Sequence, residues 1–448
     1  MGEHDELLER HRRVMPAWIG LYYDHPIELV DGKDCWVSDA EGNTYLDFFG
    51  GILTTSIGYN VDEFVDAVRT QAGRMVHSST LYLIRPMVEL GERIATLSKI
   101  PDAKVFFGNS GTEATDAAIM MCCTARRSNQ VLALRNSYHG RSFTAVAVTG
   151  NRSWSPTSLA PVAVSWLHAG DRLRGVFAGM SDGEVLEAAA RDLREVIETT
   201  TAGEVACLVA EPIQGVGGFV VPPDGFFGAL QAVLRQYGIL YVSDEVQTGW
   251  GRTGEHFWGF EAHGVEPDLL TFAKGLGNGL AIGGVAGRAS IIDSFSASSI
   301  STFGGNPLAA AGALAVLQYM LDNDLQRNAL EVGSLLKRRL AEGTAELRVV
   351  GDVRGKGLMI GIELVVPGTL APFPAATTAA LEAARAEGLL VGKGGLHGNV
   401  LRISPPMTLT AESAEDGAGR LLAALRAVGP KVADGTIAVP PGAGAATR

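Results

Sequence analysis

Short apolar runs alternate with helix-like patterns from Val61 to Pro307, and this alternation leaves few folds open to the chain. Strands that are separated by helices pair in parallel, and the helices cover both faces of the sheet. The pattern therefore predicts an α/β fold with a mostly parallel central sheet flanked by helices. The predicted strands are KVFF before Gly108, VLALR from Val131, VACLVA from Val205, ILYVS from Ile239 and LLTFA from Leu269.

The sequence outside this alternation predicts a second, smaller α+β domain. Two short strand patterns around a polar turn in Cys35–Phe49 predict a hairpin. Helical patterns over Leu308–Leu321 and Ala376–Glu387, separated by strand patterns, predict a C-terminal unit with its own core. The predicted organisation is an N-terminal segment over 1–60 that joins the small domain, a large cofactor-binding domain over 61–310, the small domain over 311–428 and a mobile tail over 429–448.

The composition excludes several classes of function. Among 448 residues, hydrophobic side chains make up 46% and charged ones 19%, which is typical of a folded globular protein. Lys and Arg number 37 against 49 for Asp and Glu, so the net charge of −12 disfavours nucleic acid and acidic membrane surfaces as partners. No apolar run is long enough to predict a membrane-spanning helix.

Cysteine and histidine usage predicts the compartment and disfavours a metal site. The four cysteines have neither CxxC spacing nor the density of a disulfide-stabilised protein. The N-terminal residues MGEHDELLERHRR lack the apolar run of a secretory signal, so we expect a reducing cytoplasm. The nine histidines form no HExxH motif, and we expect no metal.

Three predicted strands end beside an ionisable residue. VACLVA precedes Glu211, ILYVS precedes Asp244, and LLTFA precedes Lys274. One such residue alone is usually a solvated loop residue. In open parallel sheets, however, ligands bind outside the carboxyl ends of the strands, so the three side chains are expected to share one site.

A fourth strand leads into a predicted anion site. In FFGNSGTEATDAA a strand, a glycine turn and a helix follow one another, and Ser110 and Glu113 have capping-box spacing. The free N–H groups at a helix N-terminus bind anions, of which phosphate is the commonest. An anion site, a carboxylate and a lysine together favour pyridoxal phosphate (PLP), which needs a lysine for a Schiff base and a carboxylate for its pyridinium nitrogen.

Motifs along the chain resemble those of class III aminotransferases, the ω-amino-acid branch of the fold-type I PLP enzymes. The match extends from about Asp39 to Leu409. Within the family, AEPIQGVGG, HFWGF and VRGKGLMIG are most similar to the alanine-glyoxylate aminotransferase 2-like group, which some phospholyases also resemble closely. The motifs are NSGTEA at Asn109, YHGR at Tyr138, AEPIQG at Ala210, DEVQTGWGRTG at Asp244, PDLLTFAKGLGNG with Lys274, TFGGNP at Thr302 and GDVRGKGLMIGIEL at Gly351.

The resemblance implies a role for each matching residue. Lys274 would form the Schiff base with PLP and then transfer a proton between substrate and cofactor, while Asp244 would bind the pyridinium N–H. Thr302 matches a threonine that reaches the phosphate from the second subunit, which implies a homodimer. The other implied cofactor contacts are His139, Val246 on one ring face and Tyr138 on the other, Gln247 at the ring hydroxyl, and Ser110, Gly111 and Thr112 at the phosphate.

Four residues are implied in substrate recognition. Arg402 matches an arginine that grips the α-carboxylate of a keto acid, and Glu211 matches a glutamate that pairs with that arginine when an ω-amino acid is bound. Arg141 matches an arginine that contacts a distal carboxylate, although a structural ion pair is an equal alternative. Ile52 would form a pocket wall or, alternatively, be an ordinary core residue.

We therefore expect a PLP-dependent aminotransferase with a ping-pong mechanism. An ω-amino or small α-amino acid, such as 4-aminobutyrate, β-alanine, alanine or an ornithine-like donor, would give its amino group to pyruvate, glyoxylate or 2-oxoglutarate. A phospholyase acting on a phosphorylated amine and a binding domain without catalysis are the alternatives. The chain departs from its relatives at Gly58-Tyr59-Asn60-Val61 and over 168–184, so the substrate stays open.

Overall fold

A computed structural model describes residues 2–440 of the protein. Its strands are β1 (Leu29–Lys33), β2 (Trp36–Asp39), β3 (Thr44–Asp47), β4 (Ala103–Gly108), β5 (Gln130–Leu134), β6 (Ala163–Leu167), β7 (Cys207–Ala210), β8 (Leu240–Asp244), β9 (Leu269–Phe272), β10 (Gly283–Arg288), β11 (Val350–Lys356), β12 (Met359–Leu364), β13 (Leu389–Leu390), β14 (Gly392–Gly394) and β15 (Val400–Ile403).

The α-helices are distributed along the whole chain. They are α1 (Glu3–Val14), the left-handed turn α2 (Gly50–Leu53), α3 (Asp62–Ala72), α4 (Arg85–Leu97), α5 (Gly111–Arg126), α6 (Phe143–Ala147), α7 (Asp182–Thr200), α8 (Phe226–Gln236), α9 (Ala289–Ile292), α10 (Pro307–Asp322), α11 (Leu325–Thr344), α12 (Pro374–Ala386) and α13 (Ala411–Ala433). None of the helices between residues 2 and 440 has the length and apolar character that crossing a bilayer requires.

The central sheet has seven strands in the order β4-β10-β9-β8-β7-β5-β6. The pairs from β9 to β6 are all parallel, and β10 alone runs against its neighbours. Successive residues of β5 point to opposite faces, so Val131 joins the buried cluster under α5 while Leu132 joins the cluster that includes α7 and α8. The predicted α/β class is confirmed, and all five predicted strands are present.

Two four-stranded sheets lie outside the central one. The predicted hairpin is present as β2 and β3, which continue into a sheet of order β1-β2-β3-β13. The pairing of β3 with β13 ties the N-terminal segment to residues Leu389 and Leu390. The second small sheet has the antiparallel order β11-β12-β15-β14 and holds Arg402 on β15. The domain boundaries themselves stay a prediction.

The C-terminal helix runs further than the sequence predicted. Helix α13 ends at Ala433, five residues into the predicted tail that starts at 429. Its apolar side chains keep helical spacing through Val428 and Val432, which pack on the core and hold the extra turn in place. Residues 441–448 of the predicted tail lie outside the described residues.

Candidate active site

The carboxyl ends of the central strands enclose a cavity of about 120 Å³. Glu211, Asp244 and Lys274 all line it, as their positions after β7, β8 and β9 predict. The crevice between these strand ends is therefore the candidate active site. The predicted residues that line it are Gly111, Thr112, Tyr138, His139, Glu211, Asp244, Val246, Gln247 and Lys274.

The N-terminus of α5 opens onto this cavity. Ser110 caps the helix, and its hydroxyl accepts a hydrogen bond from the Glu113 N–H at 3.2 Å. The Glu113 carboxylate does not complete a capping box. One of its oxygens, Oε2, accepts instead from both the backbone N–H and the side-chain N–H of Asn109, each at 3.0 Å. The first turn of α5 thus keeps N–H groups without helical partners, as an anion site needs.

Two glycines let the backbone come close at this site. A Cβ on Gly111 would lie 3.0 Å from the Val246 side chain, and one on Gly140 would lie 2.6 Å from the Thr112 hydroxyl. Gly140 also has a φ of +137°, which side-chain-bearing residues rarely adopt. Val246 can therefore approach helix α5, and the chain at Gly140 can approach Thr112, only because these positions lack side chains.

Asp244 ends strand β8 and is almost fully buried. Its carboxylate lies 2.6 Å from His139 Nδ1 and accepts hydrogen bonds from the Thr271 hydroxyl at 3.1 Å and the Val246 N–H at 3.2 Å. Burial disfavours the charged imidazole, but the hydrogen bond to Asp244 and the negative charges of Asp244 and Glu211 together raise the pKa of His139. The result is a fixed carboxylate facing the cavity, supported from three sides.

Lys274 follows β9 and has a left-handed backbone with a φ of +39°. Burial of the amine lowers its pKa from 10.5 to about 8, and Arg402 acts in the same direction. An amine with such a pKa is partly unprotonated near neutral pH, so it can act as a nucleophile and as a base.

Glu211 is held by backbone N–H groups and forms no ion pair with Arg402. It accepts from Tyr138 at 2.9 Å and from Gly215 at 2.8 Å. Burial raises its pKa to about 7, so its charge changes close to physiological pH. The implied pairing of Glu211 with Arg402 is not made in this structure, because backbone donors already satisfy both carboxylate oxygens.

Arg402 lies on β15 of the small antiparallel sheet, beside the cavity. Its guanidinium donates to Gln247 Oε1 at 2.8 Å and lies over the Phe219 ring at 4.7 Å and the Phe49 ring at 5.8 Å. Within residues 2–440 its buried Nε has no hydrogen-bond partner. Burial lowers the pKa of the guanidinium to about 10, which leaves it charged at neutral pH.

Like Ser110 and Arg402, three further predicted residues lie outside the cavity lining. The guanidinium of Arg141 stacks on Trp18, and no ion pair to it is found in the described part of the chain, which disfavours the structural alternative. Ile52 is 45% exposed with a φ of +65°, so its interpretation as a core residue is wrong. Thr302 is exposed in the single chain.

Sequence patterns left some site residues unnoticed. Thr271 lies in the buried strand β9 and pairs in register with Asp244. A polar residue within this apolar strand pattern is a sequence signal that marks Thr271 as a candidate site residue. Phe49 and Phe219 are aromatic residues in loops, and no spacing rule connects them with Arg402.

Other reactive clusters have structural roles. Cys122 and Cys207 are buried free thiols, and burial raises the pKa of Cys122 well above its usual value. Trp250 and Trp258 are buried, and their ring centroids lie 4.7 Å apart with the ring planes tilted by 57°. A larger cleft of about 670 Å³ contains Lys356, which is neutralised by ion pairs to Asp224 and Glu255.

Comparison with known families identifies the protein class. The family described as aminotransferase class-III matches residues 22–425, which is most of the chain. The chain belongs to this family. As a class III aminotransferase it is a PLP-dependent enzyme, and the predicted cofactor, fold type and enzyme class are confirmed at this level.

Individual relatives of this class III aminotransferase differ in reaction. Alanine–glyoxylate aminotransferase 2 homolog 2, mitochondrial, from Arabidopsis thaliana is 39% identical over 92% of this chain and 85% of its own length. An (S)-enantioselective ω-transaminase from Thermomicrobium roseum is 32% identical with a TM-score of 0.88, covering 96% of this chain and 99% of its own. A phospholyase from Arthrobacter, solved with phosphoethanolamine, is 32% identical with a TM-score of 0.85, covering 94% and 99%.

The residues of the cavity fit PLP. The first turn of α5, where Gly111 and Thr112 line the cavity, suits a phosphate, and the buried carboxylate of Asp244 suits a ring N–H. The amine of Lys274 has the lowered pKa that bonding to an aldehyde requires. This class III aminotransferase thus carries a donor set for each part of the cofactor.

Proposed function

We propose that this enzyme transfers an amino group from an ω-amino or small α-amino acid to pyruvate, glyoxylate or 2-oxoglutarate. The observation that carries the proposal is Arg402, a buried guanidinium beside the cavity whose Nε has no protein partner. A keto-acid acceptor brings a carboxylate, and arginine binds a carboxylate through two parallel N–H groups. An enzyme that used no acceptor would have less need for this cation.

The cavity residues divide the work of the reaction. Bound PLP supplies an electron-withdrawing ring that stabilises negative charge on the substrate carbon. Asp244 holds the ring N–H, and His139 and Thr271 keep the carboxylate in place. Lys274 moves the proton, since its amine is close to half-protonated near pH 8. Val246 and Tyr138 enclose the ring and exclude water from the reacting atoms.

The remaining roles concern the phosphate and the substrate. Ser110, Gly111 and Thr112 offer the first turn of α5 to the phosphate. Gln247 turns from Arg402 to the ring hydroxyl, which frees the guanidinium for a carboxylate. Glu211 could then pair with Arg402 when the substrate presents an amine there instead, because its pKa of about 7 makes its charge easy to change.

A homodimer is part of the proposal. Exposed apolar side chains cluster on two segments, residues 75–83 and 300–303. The segments meet at His77 and Phe303, whose ring centroids lie 5.3 Å apart. Exposed apolar patches of this kind mark protein–protein interfaces, and Thr302 lies within this patch. Those most exposed are Leu83 at 97%, Leu81 at 75%, Tyr82 at 72%, Phe303 at 59% and Ile300 at 58%. Sedimentation should show a dimer, and Leu83→Glu should give monomers that bind PLP weakly. Monomeric wild-type protein at micromolar concentration would argue against the shared site.

The compartment remains a proposal as well. Free cysteines at all four positions suit a reducing cytoplasm. The Arabidopsis relative is named mitochondrial, however, and that name concerns the relative alone.

A phospholyase is the second candidate, because the Arthrobacter relative with phosphoethanolamine shares the fold at 32% identity. Arg141 could receive a phosphate as readily as a carboxylate. Such an enzyme would release phosphate from a phosphorylated amine and need no keto acid.

One experiment separates the two candidates. PLP-loaded protein is mixed in turn with β-alanine, 4-aminobutyrate, L-alanine, L-glutamate and phosphoethanolamine, and its visible absorbance is followed. Bleaching that pyruvate, glyoxylate or 2-oxoglutarate reverses supports the aminotransferase and names both substrates. Phosphate release without bleaching by any amino acid would replace it with the lyase. Lys274→Ala is the matched control, because it should show neither response.

A further inference from the structure

The turn α2 has a left-handed backbone at four consecutive positions. The φ angles are +58° at Gly50, +56° at Gly51, +65° at Ile52 and +59° at Leu53. Residues with a side chain rarely adopt this conformation, and for a β-branched residue such as Ile52 it is strained. Contacts with the rest of the protein therefore have to hold the turn in place.

Both ends of this turn are connected to the aromatic rings beside Arg402. Phe49 directly precedes the turn, and its ring centroid lies 5.8 Å from the Arg402 guanidinium carbon. Leu53 ends the turn and belongs to the same small buried cluster as Phe219. The Phe219 ring lies 4.7 Å from that guanidinium carbon. The conformation of α2 therefore determines how the two rings meet the guanidinium.

The chain just after β15 is fastened to the same turn. The Ser404 N–H donates to the Phe48 carbonyl at 2.7 Å, and the Ser404 hydroxyl donates to the Phe49 carbonyl at 3.2 Å. A Cβ on Gly50 would lie only 2.8 Å from the Ser404 carbonyl oxygen. Ser404 comes two residues after Arg402, so a shift of the turn would also move the backbone that carries this arginine.

Asp47 holds the start of the turn. Its Oδ1 accepts hydrogen bonds from the Phe49 N–H at 2.8 Å and the Gly50 N–H at 3.0 Å. Its Oδ2 accepts from the Tyr59 hydroxyl at 2.7 Å. Burial raises the pKa of Asp47, and these three hydrogen bonds act in the opposite direction because they stabilise the carboxylate. Tyr59 is thus the side chain that satisfies the second oxygen of a buried carboxylate.

Tyr59 is itself fixed on both sides. Its N–H donates to the Asp34 carbonyl at 2.8 Å, and the Asp34 N–H donates to the Tyr59 carbonyl at 2.9 Å. A Cβ on Gly32 of strand β1 would lie 2.8 Å from the Tyr59 ring, so the ring lies directly against that strand. The hydroxyl is therefore kept at Asp47. Tyr59 also belongs to the stretch 58–61, where the chain departs from its relatives.

We propose that Tyr59 is a positioning residue of the keto-acid site. It holds Asp47, and Asp47 holds the turn α2. The turn in turn keeps the two rings and the Arg402 guanidinium in the arrangement that receives a carboxylate. This inference rests on the proposed aminotransferase function and deepens it, because it adds a residue that governs carboxylate affinity without touching the substrate. Amines without a carboxylate do not depend on Tyr59.

The test removes one hydroxyl group. Tyr59→Phe keeps the ring and should raise KM for pyruvate roughly two- to tenfold, the range that the loss of one hydrogen bond produces. It should leave kcat at saturating pyruvate unchanged, because Lys274 and Asp244 lie on other strands. Bleaching of the PLP-loaded enzyme by 1-phenylethylamine, which has no carboxylate, should proceed at the wild-type rate.

Tyr45→Phe is the matched control. The Tyr45 hydroxyl donates to Asp39 Oδ2 at 2.8 Å, which is the same type of bond in the same small sheet. Tyr45 also packs in the same apolar cluster as Tyr59. Its loss should lower the melting temperature about as much as Tyr59→Phe does, but it should leave KM for pyruvate at the wild-type value.

Two further measurements test the route through Arg402. Propionate carries a carboxylate and no reacting group, so its binding to PLP-loaded protein is measured by calorimetry without turnover. Tyr59→Phe should weaken propionate by the same two- to tenfold. In an Arg402→Met background, Tyr59→Phe should not slow the recovery of absorbance with pyruvate any further, because Tyr59 acts through that arginine.

Four results would overturn the proposal. They are wild-type affinity for pyruvate and propionate in Tyr59→Phe, equal slowing of the 1-phenylethylamine and pyruvate half-reactions, the same rise of KM in Tyr45→Phe, and an additional loss in the Arg402→Met background. Failure of the aminotransferase itself is seen separately, as wild-type protein that transfers an amino group to no keto acid. The propionate measurement would still test Tyr59 in that case.

Discussion

Replacement of Arg402 by methionine tests the keto-acid site most directly. Methionine has a similar length and keeps the contact with Phe219 while removing the charge. Burial already lowers the pKa of Arg402 to about 10, so the folded state gains little from this cation and should tolerate its loss. Gln247 Oε1 loses the hydrogen bond that the Arg402 guanidinium donates, but Gln247 lines the cavity, where a water molecule can donate instead. We expect a melting temperature close to that of the wild type.

The catalytic loss should be large and selective. Removing one partner of a desolvated, hydrogen-bonded charge pair costs about 2–5 kcal/mol. At 1.36 kcal/mol per decade, kcat/KM for a keto acid should fall roughly 30-fold to several thousand-fold. A donor without any carboxylate, such as 1-phenylethylamine, makes no use of Arg402 and should react at a nearly unchanged rate.

Single-turnover absorbance separates the two half-reactions. The first assay follows bleaching of the PLP-loaded enzyme by 1-phenylethylamine, and the second follows its recovery with pyruvate. Arg402→Lys is the control that keeps the charge but loses the paired N–H geometry, and it should fall between the wild type and Arg402→Met. Equal losses in both half-reactions, or undiminished recovery with pyruvate, would refute the assignment of Arg402 to the carboxylate.

Three further predictions concern residues of the cavity. Lys274→Ala should leave no covalently attached PLP after borohydride reduction, whereas mass spectrometry of the wild type should find it on Lys274; label retained in the variant would contradict the role. Asp244→Asn should still fold, because Thr271 and Val246 can donate to the amide oxygen. It should reduce kcat at least about 100-fold, near 2.7 kcal/mol, and near-normal turnover would exclude the proposed ring contact. Glu211 has a folded pKa raised to about 7 from 4.5, so its contribution to stability is complete below pH 4.5 and declines as the pH rises to 7. Between pH 4.5 and 7 the free energy of unfolding of Glu211→Gln should therefore fall about 3 kcal/mol less than that of the wild type. The same pH dependence in both proteins, measured by denaturation, would contradict the raised pKa.

The sequence predicted the fold where local pattern and tertiary structure agree. Buried parallel strands have to be apolar throughout, so VLALR, VACLVA and ILYVS were recognisable without any knowledge of their neighbours. Because their carboxyl ends meet at one edge, the positions of Glu211, Asp244 and Lys274 predicted a shared cavity.

Strand β10 shows where this approach fails. Its sequence GGVAGR has no strand-like pattern, although it lies between β4 and β9 in the central sheet. A Cβ on Gly284 would lie 2.2 Å from the Phe106 carbonyl, and one on Gly287 would lie 2.0 Å from the Leu269 side chain. Glycine is required there by the close approach of neighbouring strands, a constraint that is set by tertiary packing and leaves no periodic signal.

The arginines of this protein differ in what stabilises their charge, and this difference separates structural from substrate-facing roles. Arg354 is paired with Glu363 and Asp352, and its Nε donates to the Gly218 carbonyl at 2.9 Å. A guanidinium bound in that way has its donors occupied by the protein.

Arg402 and Arg141 instead lie against aromatic faces, at 4.7 Å from Phe219 and 5.3 Å from Trp18. A ring stabilises the cation without using its N–H groups and without contributing a competing negative charge. A carboxylate in the same place would have to be displaced by each substrate, at the cost of breaking a charge-assisted pair. Aromatic support therefore keeps N–H donors of both cations available for the carboxylates that the proposed amino-acid and keto-acid substrates carry.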